Sequence, residues 1–157
     1  MLQKRNIKLL VLFIFLAFVL DQITKLLAVN FLRPLAPATE VIGSALRLKL
    51  TFNPYGVFGI SFGSNELYYV FSLIGIVVLV YIALTLKDRA GVVVFGLLIG
   101  GAIGNVIDRL RFGYVIDFID MGIGNIRWFT YNLADAFITV GAIFLLVREV
   151  FYKKKIE

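Results

Sequence analysis

From Leu67 to Leu86 the chain carries no charged side chain. Rolled into a helix, that run is about 30 Å long, the thickness of a bilayer's hydrocarbon core. Nearly as apolar are the runs near residues 9–32, 90–108 and 133–150. In lipid every backbone N–H and C=O has to be satisfied within its own segment, so such runs fold as helices and pack as a bundle. The chain is 61% hydrophobic, with a mean hydropathy of +0.94, too apolar for an ordinary soluble domain. At 157 residues it is short enough for one unit. The expectation is a single all-α integral membrane domain over residues 1–157, with four transmembrane helices.

The joints between the runs are legible. Lys4, Arg5 and Lys8 before the run from Leu9 to Leu20 look like the start of a signal peptide. No small-residue cleavage pattern follows, and Asp21, Thr24 and Lys25 continue a helical pattern, so an uncleaved first span is expected. Asp21 and Lys25 lie four apart on one helix face, where they can pair at the interface or in the bundle interior. Arg33-Pro-Leu-Ala-Pro37 ends the helix, because proline has no N–H to donate and disfavours helix in the residue before it.

A period-two segment comes next, in which Leu46, Leu48, Leu50 and Phe52 alternate with Arg47, Lys49, Thr51 and Asn53. With a short strand near Glu40 to Ile42, a turn at Gly43-Ser44 and a further strand within Asn125 to Thr130, it predicts a small extracytoplasmic β-sheet, its first part near residues 39–60. Lys87-Asp88-Arg89 is a tight turn into the third span. There Gly96, Gly100 and Gly104 form a small-residue face for a neighbouring helix. Lys153, Lys154 and Lys155 close the chain in water.

Four spans put both termini and the Lys87 turn on one side. That side holds nine basic residues (Lys4, Arg5, Lys8, Lys87, Arg89, Arg148, Lys153, Lys154, Lys155), against six opposite (Arg33, Arg47, Lys49, Arg109, Arg111, Arg127). The positive-inside rule then makes the termini cytoplasmic. The net charge of +6 is thus a topology signal, and no nucleic-acid partner is expected.

The chain has no cysteine and no histidine. Disulfides, thiolate metal sites, Ser-His-Asp triads and His-based zinc sites are therefore excluded, and hydrolytic chemistry would fall to carboxylates, lysine or an oxygen-bound metal. Between Gly100 and Gly141 four aspartates (Asp108, Asp117, Asp120, Asp135) and two asparagines (Asn105, Asn132) sit between strongly apolar segments. Ionisable groups beside hydrocarbon are costly and commonly serve an ion path, a proton relay or a reaction. Helix capping and pairing with Arg109, Arg111 and Arg127 is the plainer alternative. It is as plausible as the functional reading for Asp108 and Asp120, with Arg109 and Arg111 so near, and Asp120 is expected to be a solvated carboxylate near Arg111 or Arg127. Asp135 opens an apolar run in which Asn132 could equally be the cap. Asn105, Asp108 and Arg109 fall on one helix face, as a polar clasp or a substrate holder. On residues alone, a divalent-metal phosphotransferase, a proton-coupled transporter, a scaffold and a carboxylate protease all remain open.

Five blocks narrow this. They are Asp21-Gln-Ile-Thr-Lys25, Asn53 within TFNPYGVFG, Gly100-Gly-Ala-Ile-Gly-Asn-Val-Ile-Asp-Arg109, Gly113-Tyr-Val-Ile-Asp-Phe118 and Tyr131-Asn-Leu-Ala-Asp-Ala-Phe-Ile138. In order and spacing the chain resembles the lipoprotein signal peptidases (signal peptidase II) over nearly its whole length. The resemblance implies a four-helix bundle of the bacterial cytoplasmic membrane with an aspartyl dyad at its outer face. It implies an aspartic endopeptidase that cuts diacylglyceryl-modified prolipoproteins before the lipidated cysteine, in contact with membrane lipids and without metal or cofactor; a monomer is expected. By matching position, Asp117 and Asp135 would be catalytic, Asn53, Asn105, Arg109 and Asn132 would bind substrate, and Asp21, Lys25 and Asp108 would support them. Two departures stand out. Asn53-Pro-Tyr-Gly56 replaces the family's Asn-x-Gly followed by small residues, and Tyr131 replaces a phenylalanine. Gly122-Ile-Gly-Asn125 has asparagine where the intramembrane Gly-x-Gly-Asp proteases need aspartate.

Overall fold

The computed structural model describes residues 4–54 and 65–153. Tyr55, Gly56 and the remainder of the expected strand region to residue 60, with Lys154 and Lys155, lie outside the described residues. In chain order the elements are α1 (Lys4–Phe31), β1 (Thr39–Ile42), β2 (Leu46–Asn53), α2 (Asn65–Thr85), α3 (Arg89–Phe112), β3 (Val115–Ile123), β4 (Ile126–Arg127) and α4 (Leu133–Lys153).

Three of the described helices are long and apolar enough to cross a membrane: Lys4–Phe31, Leu67–Thr85 and Arg89–Phe112. α4 is as long as α2 but carries Asp135, Arg148 and Glu149 within its run. Apolar side chains such as Phe15, Phe71, Val77 and Tyr81 cover the outside of the bundle. Such a surface suits lipid rather than water.

α3 is the axis on which the others pack. Its first turn is capped by Asp88, whose Oδ2 accepts from Gly91 N at 2.7 Å, and its end by Gly113, whose φ of 78° suits glycine and whose N–H donates to Arg109 O at 2.8 Å. Gly96, Gly100 and Gly104 face successive turns of α1, as their spacing predicts. A Cβ on Gly96 would sit 2.7 Å from Phe13 Cβ, one on Gly100 2.5 Å from Ile14 O, and one on Gly104 would strike the Asp21 carboxylate. The two helices therefore run parallel in close contact. Gly101 lies against Ala134 and Gly141 against Leu98, which makes α4 antiparallel to α3. Leu10, Ala83, Val92, Phe95 and Ile99 fill the core at one end.

That end is also tied by polar contacts. Asn6 Nδ2 donates to Lys87 O at 3.1 Å, and Arg148 pairs with Asp88 at 2.6 Å. With its guanidinium partner bound, Asp88 sits below the usual carboxylate pKa range. The start of α1, the α2–α3 turn and the end of α4 thus share one end, and the sheet lies at the other.

The sheet has the order β1-β2-β3-β4, all neighbours antiparallel. The expected strands near residues 40–42 and 46–53 are present. From Asn125 to Thr130 only Ile126–Arg127 is strand, joined to β3 through a two-residue tip at Gly124 and Asn125. The main partner of β2 is β3, a strand without the period-two alternation of β2. Val115, Ile116, Asp117 and Phe118 are all buried, so β3 shows no polar outer face. Ile116 and Phe118 pack with Leu50 and Ala28, closing the sheet onto α1.

Candidate active site

The polar groups gather where the sheet closes that second end of the bundle. β2 pairs Thr51 with Asp117 and Asn53 with Val115, after a register shift between Leu48 and Thr51. A shift of this kind re-aims the side chains beyond it. It brings Asn53 Nδ2 to 3.0 Å from Asp117 Oδ2.

At the start of α4, Asn132 and Asp135 cap each other. Asp135 N donates to Asn132 Oδ1 at 3.0 Å and Asn132 N to Asp135 Oδ2 at 3.3 Å. Both capping candidates of the sequence are thus used, and Asp135 sits where the helix N-terminus favours an anion. Asn132 Nδ2 donates to Asp117 Oδ1 at 2.8 Å and to Asn105 Oδ1 at 3.1 Å; Asn105 Nδ2 donates to Asp135 Oδ1 at 2.8 Å. Asp117 and Asp135 are therefore joined by an unbroken chain, Asp117–Asn132–Asn105–Asp135, contributed by β3, α4 and α3.

Beneath the chain lies a buried cation. Asp21 and Lys25 are 0% and 2% exposed, so the interior, not the interface, is where they pair. Lys25 Nζ lies 2.8 Å from Asp21, 2.9 Å from Asp108 and 2.9 Å from Asn105 Oδ1. An ammonium can only donate, so Asn105 must turn its oxygen to Lys25 and its NH2 to Asp135. Lys25 thereby fixes the orientation of the amide that holds Asp135. Its two acids tie in the surroundings: Asp21 Oδ1 accepts from Ala134 N, Asp108 Oδ2 from Ile116 N, and Gln22 Nε2 donates to Asp108 Oδ1 at 3.0 Å. Gln22 was not singled out from the sequence. Its place inside the first block, between two expected polar positions, was the available signal.

Arg109 shares α3 with Asn105 and Asp108 but stands at their flank. Its guanidinium lies 5.9 Å from the Tyr68 ring centroid, and its carbonyl accepts from Tyr69 Oη at 2.7 Å.

Asp117 lies outside the spans, and its carboxyl is pushed up to about 7. Burial is the larger cause, the charge of Asp135 the next, and the bonds from Asn53 and Asn132 oppose them. Such a group holds a proton near neutrality. Two interacting carboxyls, one protonated and one ionised, can carry out acid–base chemistry on a carbonyl.

Asp120 corrects an expectation. It is 3% exposed and not solvated, clamped by Arg47 at 2.7 Å and Arg127 at 2.9 Å from the strands on either side. Arg111 reaches Gln22 instead. Burial raises the Asp120 carboxyl, but its bonds to Arg47 and Arg127 outweigh that and hold it below the usual range. Asp120→Asn should therefore cost stability, about 1–3 kcal/mol for a weakened charged hydrogen-bond set, and leave most activity in the folded fraction. Thermal unfolding read beside turnover per folded molecule checks this; loss of turnover with unchanged stability would contradict it.

The clamp also divides the four aspartates. Asp108 is spent on Lys25, Gln22 and Ile116 N, and Asp120 on two arginines, so the set does not converge as the ligands of a divalent-metal phosphotransferase would. Gly122 and Asn125 lie at the β3–β4 tip, away from the asparagine chain.

The sequence profile of signal peptidase (SPase) II matches residues 13–151. A lipoprotein signal peptidase of Thermodesulfovibrio yellowstonii is 36% identical over 140 residues, covering 86% of this chain and 90% of its own. One from Anaplasma marginale is 35% identical over 144 residues, covering 90% and 84%. A bacterial membrane enzyme solved by the in meso method at 2.3 Å superposes with a TM-score of 0.81 at 27% identity, over 94% of this chain and 91% of the other. The chain belongs to the signal peptidase II family, a family of membrane proteases.

Proposed function

We propose that this member of the signal peptidase II family is an aspartic endopeptidase of the bacterial cytoplasmic membrane, removing the signal peptide of diacylglyceryl-modified prolipoproteins just before the lipidated cysteine. The observation that carries the reading is the chain Asp117–Asn132–Asn105–Asp135, which joins two carboxyls at one end of a membrane bundle. The transporter and phosphotransferase readings find no comparable support.

In the reaction, the ionised member of the pair takes a proton from a water molecule as the water oxygen attacks the scissile carbonyl carbon. Its protonated partner donates a hydrogen bond, then the proton, to the carbonyl oxygen. Collapse of the tetrahedral species breaks the C–N bond: the proton gained from water passes to the departing amine, and as the C=O re-forms a hydroxyl of the tetrahedral species returns its proton to the carboxylate that had acted as acid. One carboxyl ends protonated and the other ionised, ready for another turnover. Asn53, Asn105 and Asn132 already spend amide N–H groups within this network, so they hold the dyad in place before substrate arrives. Arg109, at the flank between α2 and α3, is assigned to the substrate backbone.

The bundle is proposed to have four spans, α4 included, with both termini cytoplasmic and the sheet and dyad at the outer interface. Support comes from the shared end of the start of α1, the α2–α3 turn and the end of α4, together with the basic residues on that side. A cysteine placed at Lys87 should react with a membrane-impermeant thiol reagent only after the membrane is opened. Labelling of Lys87→Cys in intact cells would reverse the orientation. All groups of the network come from one chain, so the enzyme is proposed to act as a monomer.

The substrate's lipid should matter. A site at the end of apolar helices lets diacyl chains remain in hydrocarbon, while a water-soluble peptide must be desolvated without that return. Purified protein in chelator-containing buffer should cleave a diacylglyceryl prolipoprotein far faster than its unlipidated form. Equal turnover of the two would sink the proposed substrate class.

A further inference from the structure

We infer that a second site, where the end of α1 meets β1 and β2, holds the phosphate headgroup of an anionic phospholipid between Arg33 and Lys49. A cavity of about 210 Å³ lies where the end of α1 meets β2, lined by Phe31, Leu32, Arg33, Leu48, Lys49 and Leu50 among others. It shares α1 and β2 with the dyad network, but none of its lining residues belongs to that network.

Its chemistry is one-sided. Both ionisable groups in the lining are cations, and among the described residues neither Arg33 nor Lys49 enters an ion pair or side-chain hydrogen bond. Arg47, one residue before Leu48, is by contrast fully committed to Asp120. Two cations left without an acid beside an apolar floor fit a ligand that brings its own negative charge and its own apolar part.

Position supplies the second argument. Phe31 and Leu32 end the first span, so the cavity opens at the level where a bilayer's phosphates lie. Phe31 is 80% exposed and Leu27, one turn back, is also exposed, which continues an apolar strip down α1 from the cavity mouth. At about 210 Å³ the space is smaller than typical whole-ligand pockets of roughly 300–1,000 Å³. It suits a headgroup whose acyl chains stay outside, against that strip. Basic pockets at the ends of spans bind anionic headgroups on the same principle.

Arg33 and Lys49 are both exposed, so their substitution leaves the fold unburdened. Delipidated wild type and an R33Q/K49Q variant would be titrated in detergent with phosphatidylglycerol or with phosphatidylcholine, and bound lipid counted by native mass spectrometry. Inorganic phosphate would be the third arm. Wild type should retain one phosphatidylglycerol in preference to phosphatidylcholine, and the variant should bind it roughly 30-fold more weakly, the effect of losing two interfacial cations. Millimolar phosphate should neither bind tightly nor displace the lipid. Equal retention of the two lipids, unchanged binding by R33Q/K49Q, or displacement by free phosphate would each overturn the inference. Melting temperatures of the two proteins should coincide, and cleavage by the dyad is not needed for the readout.

Discussion

Asp117→Asn and Asp135→Asn should each lower cleavage by on the order of 100- to 10,000-fold while leaving a folded protein. The amide has nearly the shape of the carboxyl and keeps one oxygen acceptor, so one of the Asn132 and Asn53 contacts of Asp117, and one of the Asn105 and Asn132 contacts of Asp135, survives while the other donor faces an NH2. What the amide cannot do is take a proton from water or return one to a carbonyl. If the pair functions as a unit, as proposed, the double variant should be little worse than either single one. At Asp117 the lost acceptor is offset in part, since burial already disfavours charge there, so the melting temperature of Asp117→Asn should change little. Turnover of diacylglyceryl prolipoprotein by the purified variants checks the effect. Well-folded single variants within a few-fold of wild type would exclude the aspartyl mechanism.

Lys25→Met should act on the fold instead. Methionine has a similar length and can be buried, but the change removes the cation from between Asp21 and Asp108, both fully buried. Two carboxylates then face each other in a dry interior, and breaking a buried pair by deleting one partner costs about 3–5 kcal/mol. Asn105 also loses the donor that fixes its amide, so Asp135 loses its aligned N–H. Lower expression, a lower melting temperature and loss of turnover in whatever fraction folds are expected. A triple variant, Lys25→Met with Asp21→Asn and Asp108→Asn, should recover much of the stability, because neutral amides can satisfy one another. A Lys25→Met protein as stable as wild type would show that this ammonium does not hold the bundle together.

The helices were legible because their cause is local. Charge-free runs, Pro34 and Pro37, and the Asp88 turn mark their limits within a few residues, and the glycine spacing anticipated the α1–α3 contact. α4 was legible as a helix, but its acid and three terminal charges make its crossing a matter of topology rather than of composition. β3 was hidden for a physical reason. Buried on both faces, it repeats two apolar residues and an acid, and so lacks the period-two pattern that disclosed β2. Asp120 was misjudged as a consequence: its partner Arg47 lies directly opposite it across a pairing that could not be seen without β3.

Among the site residues, spacing alone put Asp21 with Lys25 and Asn105 with Asp108, since these are single-helix relations. Their assembly with Asp117 and Asn132 spans up to four elements, which local periodicity does not encode. The five blocks carried that information only through resemblance, and the hydrogen-bond chain now gives a physical reason for each of those residue types.

A proton shared by Asp117 and Asp135 during cleavage should show in the pH dependence of kcat/KM. At low pH both carboxyls are protonated and no base exists; at high pH both are ionised and no acid remains. With Asp117 raised to about 7, the activity should climb through the acid range as the first proton leaves and fall again as pH passes about 7. The measurement is that profile for wild-type enzyme with diacylglyceryl prolipoprotein, in chelator and at saturating lipid. A bell with its descending limb near neutrality is the predicted result, and activity that stays level or rises from pH 7 to 9 would contradict the shared-proton dyad.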